Sequence, residues 1–173
     1  MEQPAGNKIT GNPSSHPALS VKWVEDFPDI PLNRNEAYKL RVTSKGVEIE
    51  AITETGVYRA IQTLRQLTEK KGNGIAITGC EITDWPAFRI RGFMQDVGRT
   101  YISTDELKRE IAILARYKIN VFHWQLTENQ AWRLQSKVFP MLNDSVNTTR
   151  QPGKYYTLEE LSLIHISEPT RLR

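Results

Sequence analysis

The sequence predicts an α/β chain in two parts: a small α+β domain, then a βαβ unit belonging to a parallel sheet. Three observations carry that expectation. Period-two alternation on either side of Ser44-Lys45-Gly46 reads as a β-hairpin. Val57, Ala60, Ile61, Leu64 and Leu67 then recur at helical spacing. Finally, strand, helix and strand patterns follow one another within about forty residues from Ile90, which demands a crossover and hence parallel pairing.

Residues 1–19 are polar and rich in Pro, Gly and Ser, so they read as a disordered lead-in. They lack the apolar h-region of a signal peptide. Residues 20–85 form the α+β domain. Leu40 and Val42 alternate with polar residues before the turn, and Val47, Ile49 and Ala51 after it. Glu54-Thr55-Gly56 punctuates the hairpin, and the helix that follows has one apolar stripe with which to cover a face of it. Lys71-Gly72-Asn73-Gly74 is read as closing that helix, and Ile75-Ala76-Ile77 with Ile82 as one further strand. Asp84-Trp85-Pro86 marks the junction, because proline drives its predecessor out of the helical region.

Residues 86–162 have a different rhythm. Ile90–Val97 is a short apolar strand, and Ser103-Thr104-Asp105-Glu106 is a capping box. Leu107, Ile111, Leu114 and Ala115 form the stripe of the next helix, and Asn120 leads into the strand VFHWQLT. In that strand Phe122, Trp124 and Leu126 share one face, and Val121, His123, Gln125 and Thr127 the other. The stretch NVFHWQLTENQAWR thus ends a core strand in a polar cluster set between two tryptophans. Two readings stand. Either this is the C-terminal rim of barrel strands, where βα loops carry chemistry, or it is a satisfied polar rim over a core strand.

Composition narrows the function classes. Of 173 residues, 39% are hydrophobic and 25% charged, and the formal charge of +3 comes from interspersed cations and acids. No basic stripe with interleaved aromatics suggests nucleic acid. One cysteine, Cys80, allows no internal disulfide, and three scattered histidines give no zinc spacing. No apolar run reaches the ~20 residues of a membrane span. Nothing in the pattern sets an oligomeric state.

RIRGFMQDVGRTYIS, then DELKREIAILARYKINVFHWQLTENQAWRLQSKVFPML, then GKYYTLEEL, resemble the start of the catalytic barrel of family-20 glycoside hydrolases, the β-N-acetylhexosaminidases. YKLRVTSKGVEIEAITETGVYRAIQTLRQL is similar to the small domain that precedes that barrel. The resemblance covers roughly residues 20–162. It implies the first two βα units of a truncated (β/α)8 barrel, a glycan or chitin-type oligosaccharide as substrate, no metal or organic cofactor, and an exported or periplasmic protein. It also implies substrate-assisted catalysis, an exception among two-carboxylate glycosidases: the sugar's own acetamido group attacks the anomeric carbon, with an Asp orienting it and a Glu protonating the leaving oxygen.

Residue by residue, the resemblance implies that Arg91 binds hydroxyls of the terminal sugar, for which a guanidinium fork is suited. The alternative is a structural ion pair with Asp96. Glu128 stands where the family has the first of two Asp, in contact with the sugar or its network; otherwise it is a solvated loop acid. Asp96, His123 and Trp124 match supporting positions. Gln125, Asn129, Gly98 and Thr100 depart from the family pattern, and Gln125 and Gly98 keep open a non-catalytic carbohydrate-binding descendant.

No position here matches the family's catalytic Asp-Glu pair. Glu159-Glu160 starts a helix and Asp105-Glu106 belongs to a cap, so a chain of this extent is expected to be inactive. Residues 163–173, within SLIHISEPTRLR, resemble a translated sequencing-adapter read-through and are expected to be foreign to the fold.

Overall fold

The computed structural model describes residues 8–9 and 18–167, which fall into two compact units, Met1–Arg89 and Ile90–Arg173. That division lies a few residues beyond the Trp85-Pro86 junction read from the sequence, because Trp85 packs into a cluster with Phe27, Ile30 and Ala37.

The first unit contains β1 (Lys8–Ile9), β2 (Ala18–Trp23), β3 (Tyr38–Thr43), β4 (Gly46–Ala51), α1 (Glu54–Leu67), β5 (Thr68–Lys71), β6 (Gly74–Thr78) and β7 (Cys80–Asp84). The hairpin is where alternation put it, β3 and β4 pairing antiparallel with Tyr38 opposite Ala51. They sit centrally in a four-stranded sheet ordered β2-β4-β3-β7, with β2 parallel to β4. Tyr38, Leu40, Val42, Val47, Ile49 and Ala51 line the face beneath α1, where Ala60 is buried and Val57, Ile61 and Leu64 pack against them. Thr53 caps α1 by accepting from Gly56 N–H at 3.3 Å. Beside it a buried ion pair joins Arg59 Nε to Glu36 Oε2 at 2.9 Å.

Three expectations change in this unit. The segment TEKK does not extend the helix; it is β5, and Gly72-Asn73 turns it back into β6. Gly72 has φ 59°, the left-handed region a tight hairpin turn requires. Ile75–Ile77 and Ile82 occupy separate strands in separate sheets, β6 and β7. Within the segment read as a disordered lead-in, Lys8–Ile9 pairs antiparallel with Ile77–Thr78 and Ala18–Leu19 begins β2. The remainder of that segment lies outside the described residues.

The second unit contains β8 (Gly92–Asp96), α2 (Thr104–Arg116), β9 (Val121–Gln125), β10 (Thr127–Glu128), β11 (Ala131–Trp132) and α3 (Leu158–Ser167). β8 and β9 are parallel, with Gly92 beside Val121 and Asp96 beside Gln125. The βαβ unit is therefore present, and the described residues form a two-stranded parallel sheet with no closed barrel. Ser103 Oγ accepts from Glu106 N–H at 3.3 Å while Glu106 Oε2 accepts from Ser103 N–H at 3.0 Å, completing the capping box.

Val97, Leu107, Ile111, Tyr156 and Ile164 are the buried core of this unit, flanked by Phe122, Trp124 and Leu126. The Phe122-Trp124-Leu126 face is thus the helix-facing one. Ile164 lies inside the stretch expected to be foreign to the fold, yet α3 runs through it and its side chain is fully buried.

Candidate functional site

Parallel strands bring their C-terminal ends to one side, so Asp96, Gln125 and the β10–β11 hairpin gather there. Met94, Asp96, His123 and Gln125 share the sheet face that the helices do not cover, and Met94 is 60% exposed. That leaves a rim with polar groups at its top and an apolar floor beneath.

The hydrogen bonds along this rim are specific. Gln125 Nε2 donates to Thr127 C=O at 2.8 Å, which turns its Oε1 towards His123 Nε2 at 3.3 Å. An amide oxygen only accepts, so His123 Nε2 is the donor in this contact. His123 is exposed, and this contact orients it. Asp96 Oδ1 accepts from Arg99 N–H at 3.2 Å, and Oδ2 pairs with Arg99 Nε at 3.3 Å. Glu128 Oε1 accepts from Asn129 N–H at 3.2 Å.

Gly98 explains how two carboxylate-bearing residues come together. A Cβ placed there would lie 2.6 Å from Glu128 Cβ and 3.2 Å from Asp96 Oδ1. Only a residue without a side chain lets β10 approach this turn. Asp96 and Glu128 are therefore brought to one spot at the strand ends, both against the Cα of Gly98 on the side a Cβ would occupy.

Arg91 lies elsewhere. It precedes β8, roughly 16 Å of strand away from Asp96 at ~3.3 Å per residue. Its Nε donates to Lys118 C=O at 2.8 Å, and its N–H to Asn120 Oδ1 at 2.8 Å. Lys118 is left-handed (φ 61°) at the end of α2, so the guanidinium holds the turn from α2 into β9. The ion pair with Asp96, offered as the other reading of Arg91, is made by Arg99 instead. Trp124 faces the core, edge-on to Tyr156 with ring centroids 4.6 Å apart, and supports the rim from beneath.

A residue that sequence reasoning missed is Arg133, fully buried among the loops behind this rim. Its Nε donates to Val97 C=O at 3.0 Å. Nη1 donates to the carbonyls of Gln151 at 3.1 Å and Lys154 at 2.7 Å. Nη2 donates to those of Gly98 at 3.4 Å and Arg150 at 2.8 Å. Burial pulls the guanidinium pKa down from its ordinary value. The signal in the sequence was slight: a cation in the alternation AWRL, between two apolar residues.

In each acid pair noted in the sequence the second member, Glu106 or Glu160, is a cap residue. Besides Glu106, Glu160 Oε2 accepts from Thr157 N–H at 2.8 Å and Thr157 Oγ1 accepts from Glu160 N–H at 3.1 Å. Among the described residues no group of three or more His, Cys, Asp or Glu is placed to hold a metal ion, and no helix is long and apolar enough to cross a membrane. The rim can accept from and donate to the hydroxyls of a polyol, beside the partly exposed Trp132.

Comparison with known proteins places these observations in context. The glycosyl hydrolase family 20 domain 2 model matches residues 4–85, and the family 20 catalytic domain model matches residues 88–166. A beta-hexosaminidase of Porphyromonas gingivalis is 39% identical over 92% of this chain and 20% of its own length. A beta-N-acetylhexosaminidase of Cellulomonas fimi is 35% identical over 89% of this chain and 32% of its own length. Among solved structures, an exo beta-N-acetylglucosaminidase from Vibrio harveyi, in complex with N-acetylglucosamine, superposes with a TM-score of 0.73 at 31% identity, covering 87% of this chain and 25% of that one. A mutant Streptomyces plicatus beta-hexosaminidase with the product GlcNAc gives 0.74 at 30% identity, covering 89% and 32%. The chain thus spans a fifth to a third of the length of these relatives.

Proposed function

The chain belongs to glycosyl hydrolase family 20, and on that footing we propose that it is part of an exo-β-N-acetylhexosaminidase that removes terminal N-acetylglucosamine or N-acetylgalactosamine from glycans or chitin-type oligosaccharides. The observation that carries the reading is the match of two family-20 models, in order, to the two units of the chain. The arrangement of residues 86–162 is that of the first βα units of a (β/α)8 barrel, and the strand-end rim of Asp96, Gln125 and Glu128 is its contribution to the sugar site. Hydroxyl-rich rings suit such a rim, since each carboxylate or amide oxygen accepts from a hydroxyl.

The reaction is retaining and substrate-assisted. The acetamido oxygen bonds to the anomeric carbon as the glycosidic bond breaks, the leaving oxygen takes a proton from an acid, and water opens the oxazolinium ion. Holding a weak internal nucleophile close to its target is the chief task of such a site. The acids for those steps lie outside this chain, because its own acid pairs stand at helix starts, where Glu106 and Glu160 serve as caps. Alone, the 173-residue chain therefore does not turn over substrate.

Substitution of Gln125, whose amide is engaged by Thr127 and His123, motivates a second reading as a binding-only descendant. Hydrolysis of 4-nitrophenyl N-acetyl-β-D-glucosaminide by the whole protein, with the product anomer followed by NMR, separates the two. Release of the β-anomer first supports the enzyme. Tight sugar binding without turnover supports the descendant, and neither activity removes both.

A further inference from the structure

Taken together with the sugar-site reading above, on which its functional consequence rests, the geometry points to Arg133 as the positioning residue of the Asp96–Glu128 rim. A guanidinium carries five N–H donors, and all five of Arg133 are spent on backbone carbonyls. Those carbonyls come from two separate segments, the Val97–Gly98 turn and the Arg150–Lys154 loop. No carboxylate pairs with this cation among the described residues. A buried charge so arranged is held by these carbonyls and by the Tyr101 ring, whose centroid lies 6.0 Å from the guanidinium carbon, and in return it fixes the geometry of both segments.

The first segment is the turn that sets the rim. Val97 and Gly98 directly follow Asp96, and Gly98 is the residue against which Glu128 packs. Arg133 itself directly follows β11, and its N–H donates to Leu126 C=O at 2.9 Å just before the hairpin that carries Glu128. With its side chain on the Val97 and Gly98 carbonyls and its backbone N–H on Leu126, this one residue ties the ends of β8 and β9 to a common point. In the second segment, Gln151 stands in the left-handed region at φ 49°, where a residue with a side chain is disfavoured. Its carbonyl is one of the five acceptors, and its side chain accepts from Tyr101 N–H at 2.5 Å. Arg133 therefore holds a strained loop against the first βα connection and aims the two carboxylates without touching a ligand.

Lysine at this position keeps the charge and fills much of the volume but offers a point donor in place of the planar fan. The test compares wild type, Arg133→Lys and Arg133→Ala at micromolar concentration by hydrogen exchange with mass-spectrometric readout, alongside titration with N-acetylglucosamine. In Arg133→Lys, peptides covering residues 97–101, 128–132 and 149–155 should exchange at least about tenfold faster, while those of α2 and β3–β4 keep wild-type protection. Added guanidinium ion, far below denaturing concentration, should restore loop protection to Arg133→Ala by refilling the cavity. Sugar affinity should fall about tenfold in Arg133→Lys.

Wild-type exchange in the three loop peptides of Arg133→Lys would overturn the assignment. So would a loss spread evenly over α2 and α3, which marks a general packing role. Absence of sugar binding by wild type, with the localised exchange response intact, counts against the sugar-site reading and leaves the positioning role standing.

Discussion

Replacing Gly98 with alanine is the sharpest perturbation of the rim. The added Cβ would sit 2.6 Å from Glu128 Cβ and 3.1 Å from Glu128 N. Carbon atoms rest at about 3.5–4.0 Å, so β10 or the turn must yield by about 1 Å. Because one of the clashing atoms is backbone, no rotamer change relieves it. Overpacking of this kind costs about 1–3 kcal/mol, and every 1.4 kcal/mol is about tenfold in the folding constant. Urea unfolding followed by tryptophan fluorescence measures it, with Trp23 and Trp85 of the first unit changed to phenylalanine so that Trp124 and Trp132 report. The double variant Gly98→Ala with Glu128→Gly removes the nearest clashing atom, and the cycle should show a coupling of about 0.5–3 kcal/mol. A Gly98→Ala protein within about 0.3 kcal/mol of wild type, with no coupling to position 128, would refute the close approach that places Asp96 and Glu128 together.

Two further outcomes follow from the same structure. Removing one partner of the buried Glu36–Arg59 pair, as in Glu36→Ala, should cost the first unit about 3–5 kcal/mol, whereas the double change Glu36→Leu with Arg59→Met should cost far less; urea unfolding of the first unit decides. Hydrogen bonds from Ser103 hold the Glu106 carboxyl below its ordinary pKa, so its stabilisation of α2 is fully present above about pH 4.3 and is lost as pH falls through the folded value. Protection of the first α2 turn, taken relative to the intrinsic exchange rate at each pH, should fall on acidification in wild type and show no such response in Glu106→Gln.

Local chemistry made much of this fold legible. Ser103 and Glu106 stand at the spacing a capping box needs, and the hairpin at Tyr38–Ala51 has clean alternation around a turn. Both signals lie within a few residues, where sequence distance and spatial distance coincide. TEKK is misread because four polar residues carry no apolar period, and the strand exists through pairing with β6. Ile75–Ile77 and Ile82 looked like one strand because the apolar pattern says nothing about which sheet each segment joins.

At the site, Asp96 and Glu128 could be nominated by resemblance, but their meeting depends on the absence of a Cβ at Gly98, a tertiary fact. Arg91 was nominated by motif alone, and its place before β8, where its Nε meets the Lys118 carbonyl, depends on how the two strands register. Arg133 was silent because its partners are carbonyls, which every residue possesses and no sequence pattern marks.

The proposed function requires this chain to be one part of a family-20 hydrolase whose catalytic acids are supplied by other strands. Reading the source DNA through the codons for Leu161–Arg173 and onward tests that most directly. The account predicts an open frame that continues into further strand–helix repeats and reaches an adjacent Asp-Glu at the end of a β-strand. An intact gene whose frame closes at Arg173, in an organism that uses the product, would contradict it.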